Sequence, residues 1–180
     1  MSTWKQALRE AAVSGAVASL LSTAVLLLAG ARQNRSPAAP VNAISHWVWD
    51  RPALAADGAT ARHTLAGYLI HHAASVWWAT LHAKAWGTRA RAKRPGPALA
   101  GAAAAAAVAC FVDLVVTPRR FTPGFEHRLS PDALLGVYAC FALGLALGSM
   151  AVPPVADEEW QDRPAPGAAA AERSKREIRR

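Results

Sequence analysis

Charge is scarce in this chain, and scarcest in long stretches where a water-soluble domain would carry it. Charged residues make up 18% of its 180 residues and hydrophobic ones 53%, an unusual balance for a soluble chain of one-domain length. No Asp, Glu, Lys or Arg occurs in 11–31, 64–83, 95–112 or 133–156. A helix rises about 1.5 Å per residue, so about 20 residues cross a hydrocarbon core of about 30 Å. These runs argue against an ordinary soluble helical domain and predict four membrane-spanning helices, at about 11–31, 63–86, 97–117 and 131–152.

Cysteine is scarce too. Cys110 and Cys140 both lie inside apolar runs, where a thiol is an ordinary filler, so no disulfide framework is read from them. Signatures of covalent chemistry are missing as well. There is no Gly-rich phosphate loop, no nucleophile-elbow serine and no His-Glu-x-x-His element, so a hydrolase or kinase reading has no support. Zinc-finger spacing and an aromatic-basic strip are absent, so the net charge of +8 does not point to nucleic acid. Anionic lipid headgroups are the simpler partner, because the basic residues bracket the apolar runs.

What is present fits an all-α fold, an integral membrane four-helix bundle with a short amphipathic interfacial segment in its first loop. Residues 1–156 are read as the transmembrane domain and 157–180 as a flexible polar tail. The first apolar run has 21 residues, more than the apolar core of an export signal, and is read as a retained helix. Its Ser14, Gly15, Ala18, Ser19 and Ser22 recur at helical spacing, so one face admits a neighbouring backbone closely. In the loop after it, Ile44, Trp47 and Val48 share a helical face, which predicts a segment lying in the headgroup region over the outer end. The alanine run 102–107 predicts a third helix packed centrally against two or more neighbours. Ser130, Pro131 and Asp132 carry helix-start chemistry for the fourth, Pro153 and Pro154 end it, and Gly144 with Gly148 offers a close-packing face for another helix or a second copy. Lys5 and Arg9 before the first run, with Lys84, Arg89, Arg91, Lys93 and Arg94 between the second and third, place both termini on the inner side.

Four groups of side chains are candidates for function. Tyr68, His71, Ser75 and His82 follow helical steps along one face of the second span, a polar stripe that should face protein or water rather than lipid. His71 lies roughly 13 Å from the start of that span. It reads either as a proton carrier or cofactor ligand, or as a neutral imidazole hydrogen-bonded across the bundle. Asp113 is the acidic residue inside a span, expected to pair with His46, His63 or Arg119 rather than His71. His46, His63 and Asp113 have donor types suited to a metal without a zinc signature, and no cofactor is assigned. With no histidine on the first, third or fourth span, a bis-histidine haem has no second axial ligand there. Arg119, Arg120 and Arg128 could contact an acidic ligand or lipid phosphate.

The segments Asn42-Ala43-Ile44-Ser45-His46-Trp47-Val48-Trp49, Gly67-Tyr68-Leu69-Ile70-His71-His72-Ala73-Ala74-Ser75 and Thr117-Pro118-Arg119-Arg120-Phe121-Thr122-Pro123-Gly124-Phe125-Glu126 carry a further expectation. They resemble those of small, uncharacterised bacterial inner-membrane proteins with four spans. The resemblance implies a multi-pass protein of the bacterial inner membrane and brings no activity or catalytic residues. The functional expectation is an accessory, structural or envelope-related protein, partnered by lipid and by a second copy or another membrane protein. The alternative is a proton-, metal- or haem-linked transport or redox component using the polar face of the second span.

Overall fold

The computed structural model describes residues 4–154, and these are all-helical. The first apolar run lies inside α1 (Trp4–Gln33), which begins earlier than the charge pattern suggests and carries Lys5, Arg9 and Glu10 in its opening turns. Three short helices follow: α2 (Ala39–Ile44), α3 (His46–Trp49) and α4 (Arg51–Ala55). The second run becomes α5 (Ala66–His82), flanked by π-helical turns at Ala61–Leu65 and Ala83–Gly87. A short 3-10 turn, Ala90–Lys93, leads to α6 (Pro95–Phe111), which continues as a π turn through Val112–Val116. The last helix is α7 (Pro131–Ala151), preceded by a 3-10 turn at Phe125–His127.

Three of these helices are long and apolar enough to cross a membrane: Trp4–Gln33, Pro95–Val116 and Pro131–Ala151. α5 itself has 17 residues and is not among them. Counting its π turns, the helical run from residue 61 to 87 is about 40 Å long. The tail expected over 157–180 lies outside the described residues.

α1 is the central helix, packing extensively on α7 and α5. Its small-residue face is what allows this. Ser14, Gly15, Ala18, Ser19 and Ser22 are all buried, as the spacing predicts. The Gly144 and Gly148 face of α7 is taken up by α1: a side chain at Gly144 would strike Ala18 Cα, and one at Gly148 would strike Ser14 Cα. That surface is therefore spent within the chain and does not face a second copy. Ser130 caps α7, its hydroxyl accepting from Ala133 N at 3.4 Å with Pro131 in the first turn.

The alanine-rich α6 corrects the expectation of a central third helix. It packs on α7 through Ala98, Ala102, Ala106 and Ala109 but meets α5 only sparsely, and its Leu99, Val108 and Phe111 face outward. Alanine offers little area to any neighbour, so a run of it is as compatible with a margin as with a centre. The consequence is a gap between α5 and α6.

One end of the assembly holds the start of α1, the end of α5, the start of α6 and the end of α7, drawn together around Glu10. The opposite end is covered by α2–α4 and the 117–130 segment. Asn42, fully buried, donates to Ala56 O at 2.9 Å and Gly58 O at 3.0 Å and accepts from Thr64 Oγ1 at 2.6 Å. Arg128 donates to Asn34 Oδ1 and Leu54 O and pairs with Asp57. Gly124 sits at φ 91°, where its Cα passes against Ala43 O, a position open only to a residue without Cβ. The amphipathic segment is thus three short helices: Ile44 is buried, while Trp47 and Val48 reach the surface, with Trp47 edge-on to Phe121.

Candidate functional site

The gap between α5 and α6 is a cavity of about 530 Å³ beneath the short helices. α5 contributes Ile70, His71, Ser75, Trp77 and Trp78, and α6 with its π turn contributes Ala109, Val112 and Asp113. Ser22 of α1 and Val137, Tyr138 and Phe141 of α7 form its floor, and Ile44, Trp47, Phe121 and Phe125 close it toward the short helices. It is not sealed. Trp77 is 60% exposed and Phe121 53%, so the mouth opens on the apolar outer surface of the helices. The volume lies within the about 300–1,000 Å³ usual for small-molecule sites.

Two polar pairs stand in this apolar lining. His71 Nε2 lies 2.8 Å from Ser22 Oγ. The Ser22 hydroxyl donates to Ala18 O at 2.7 Å, so its single proton is spent on α1. With the Ser22 hydroxyl turned to Ala18 O, the ring donates from Nε2 and the neutral imidazole keeps Nδ1 as an acceptor. Phe125 holds the ring edge-on at 6.4 Å between centroids. The second pair joins α6 to α7: Tyr138 Oη donates to Asp113 Oδ2 at 3.0 Å. Asp113 thus meets Tyr138, not the expected His46, His63 or Arg119. The partner lies on a neighbouring helix at the same height, a register that loop residues near in sequence do not share.

Of the polar stripe, His71 and Ser75 line the cavity while His82 does not. His82 is buried at the other end, near Gly87 and Glu10, with both ring nitrogens unpartnered among the described residues. Tyr68 packs beside His72, with ring centroids 5.9 Å apart. The metal candidates are not brought together. His46 Nδ1 bonds Ala43 O at 2.9 Å, His63 Nδ1 faces Ser45 Oγ at 3.3 Å, and Asp113 is in the cavity. No group of three His, Cys, Asp or Glu side chains among the described residues stands within reach of one metal ion. Arg120 donates to the carbonyls of His46 and Trp47, and Arg128 is engaged as above, so both guanidinium groups brace the cap. Arg119 is exposed.

The residue that sequence reasoning passed over is Glu10. It is 1% exposed, with Oε2 at 2.7 Å from Lys93 Nζ and Oε1 accepting from Ser149 Oγ at 2.6 Å. Lys93 also donates to Ser149 O at 2.8 Å. The available signal was position: Glu10 precedes Ser14 by one turn, on the buried small-residue face of α1. Comparison with known protein families, curated proteins and solved structures returned no match.

Proposed function

We propose that this chain is a four-span protein of the bacterial inner membrane, akin to the small inner-membrane proteins its segments resemble. On this reading it has no covalent chemistry of its own. It takes a membrane-dissolved molecule into the cleft between α5 and α6. The cleft carries the proposal: its mouth is framed by exposed apolar residues, Trp77 and Phe121, where lipid would lie, and its interior holds His71 and Asp113. A site opening sideways onto an apolar surface is reached through the bilayer rather than from water. α5 with its π turns supplies the fourth span, because polar groups on its inner face are met by Ser22 and by the cavity. The basic loop 84–94 and the start of α1 lie at one end, and the Lys and Arg there support an orientation with both termini inside. In that frame α2–α4 rest in the outer headgroup region, with Trp47 and Val48 toward the lipid.

A photoactivatable alkyl probe dissolved in the membrane tests the cleft. Labels are expected on Ile70 and Trp78, which line the cleft and are only partly exposed, as well as on exposed Leu20 and Leu135. Labelling confined to the exposed positions would overturn the proposal. Cysteine labelling on intact cells tests the orientation: Arg91→Cys should stay protected, and labelling from outside would reverse it.

A further inference from the structure

Resting on the cleft as a binding site, we infer that its occupant is an organic cation with an apolar tail, an amine or quaternary ammonium head seated between Asp113 and the cavity's aromatic rings. Three observations converge. First, Asp113 is the one carboxylate in a lining that holds no Lys or Arg among the described residues. It forms no ion pair among the described residues, and the side chains that hydrogen-bond to it, Tyr138 and Trp78, are neutral. A carboxylate in apolar surroundings is costly unless a counter-charge reaches it, so this cavity lacks the sign of charge that a cationic guest brings.

Second, the lining is aromatic. Trp77, Trp78, Phe125, Tyr138 and Phe141 surround the space, and ring faces attract cations, more strongly when water is excluded. Third, His71 turns an acceptor toward the space. Because His71 donates from Nε2 to Ser22, the neutral ring offers Nδ1, which receives an N–H and repels nothing in the guest. The apolar mouth between Trp77 and Phe121 leaves the tail in the membrane.

The test uses the full chain in nanodiscs of zwitterionic lipid, titrated calorimetrically with dodecylammonium and, separately, with 1-dodecanol, after subtraction of empty nanodiscs. Both should bind saturably, dodecylammonium about tenfold the tighter. Asp113→Asn, which keeps the shape and an acceptor for Tyr138, should bring the two to parity while dodecanol binding persists. Parity in the unaltered chain, or a cation preference that survives Asp113→Asn, would overturn the head-group inference and leave the cleft reading standing. Absence of saturable binding by either probe would remove both.

Discussion

Lys93 and Glu10, 83 positions apart in the sequence, form an ion pair at 2.7 Å with their side chains only 11% and 2% exposed. The pair ties the turn before α6 to the opening of α1, and Ser149 of α7 completes it by donating to Glu10 and accepting from Lys93. The π turn after α5 joins through Gly87, whose carbonyl lies 3.3 Å from Ser149 Oγ. All four long helices therefore meet at one charged knot in an otherwise apolar assembly.

Breaking that knot from one side should be costly. Lys93→Met strands the Glu10 carboxylate and should destabilise the protein by about 3 kcal/mol, the low end for a broken buried pair because Lys93 keeps some access to water. Glu10→Gln should cost less, since it still offers an oxygen to Ser149. The double variant should recover much of the loss in a double-mutant cycle read by thermal melting in detergent. Additive losses would mean that the two charges do not interact.

The contact of α7 with α1 makes a graded prediction. Gly144→Ala and Gly148→Ala each place a methyl group on α1 backbone and should cost about 1–3 kcal/mol by forcing the helices apart. Gly136→Ala is the control, because its added Cβ meets nothing closer than Val25 Cγ1 at 3.5 Å. Equal melting temperatures for all three variants would remove this face from the account of the fold.

Much of this was legible in sequence, and the reasons are specific. The charge-free runs over α1, α6 and α7 report length and solvent directly, and Ser130-Pro131 announces a helix start whatever the tertiary context. The small-residue face of α1 was readable because close backbone approach demands those residue types. Position within the assembly was not. An alanine run does not say whether it faces helix or lipid, and so α6 was expected at the centre. A glutamate beside Arg9 reads as a headgroup residue, because nothing local to Glu10 reveals a lysine beyond α5. Asp113 likewise found Tyr138 through the register of α6 against α7, which no spacing within either helix encodes.

Asn42 anchors the cap over the cavity, and its replacement should be felt there. Asn42→Ala removes the partner that Ala56 O, Gly58 O and Thr64 Oγ1 share, a loss of about 1 kcal/mol for hydrogen bonds to groups that water can partly reach. Limited proteolysis should then cut within 56–60 faster than in the unaltered chain while the long helices stay protected. Unchanged cleavage there would show that α2 is held by its packing alone.

The tautomer of His71 is the sharpest test of the cavity's chemistry. Ser22 Oγ has one hydrogen, for which Ala18 O at 2.7 Å, Ser19 O at 3.2 Å and His71 Nε2 at 2.8 Å compete. With that hydrogen on the closer carbonyl, Ala18 O, a proton on Nε2 makes the 2.8 Å contact to Ser22 a hydrogen bond rather than a clash of lone pairs. Nitrogen NMR of histidine-labelled protein in nanodiscs should show pyrrole-type Nε2 and pyridine-type Nδ1 for His71, identified by its loss in His71→Gln. Ser22→Ala should free the ring from that tautomer and cost about 1 kcal/mol, the scale of intramembrane hydrogen bonds. Finding the proton on Nδ1 in the unaltered protein would reverse the polarity of the cavity, making His71 a donor toward the guest, and would count against a cationic occupant.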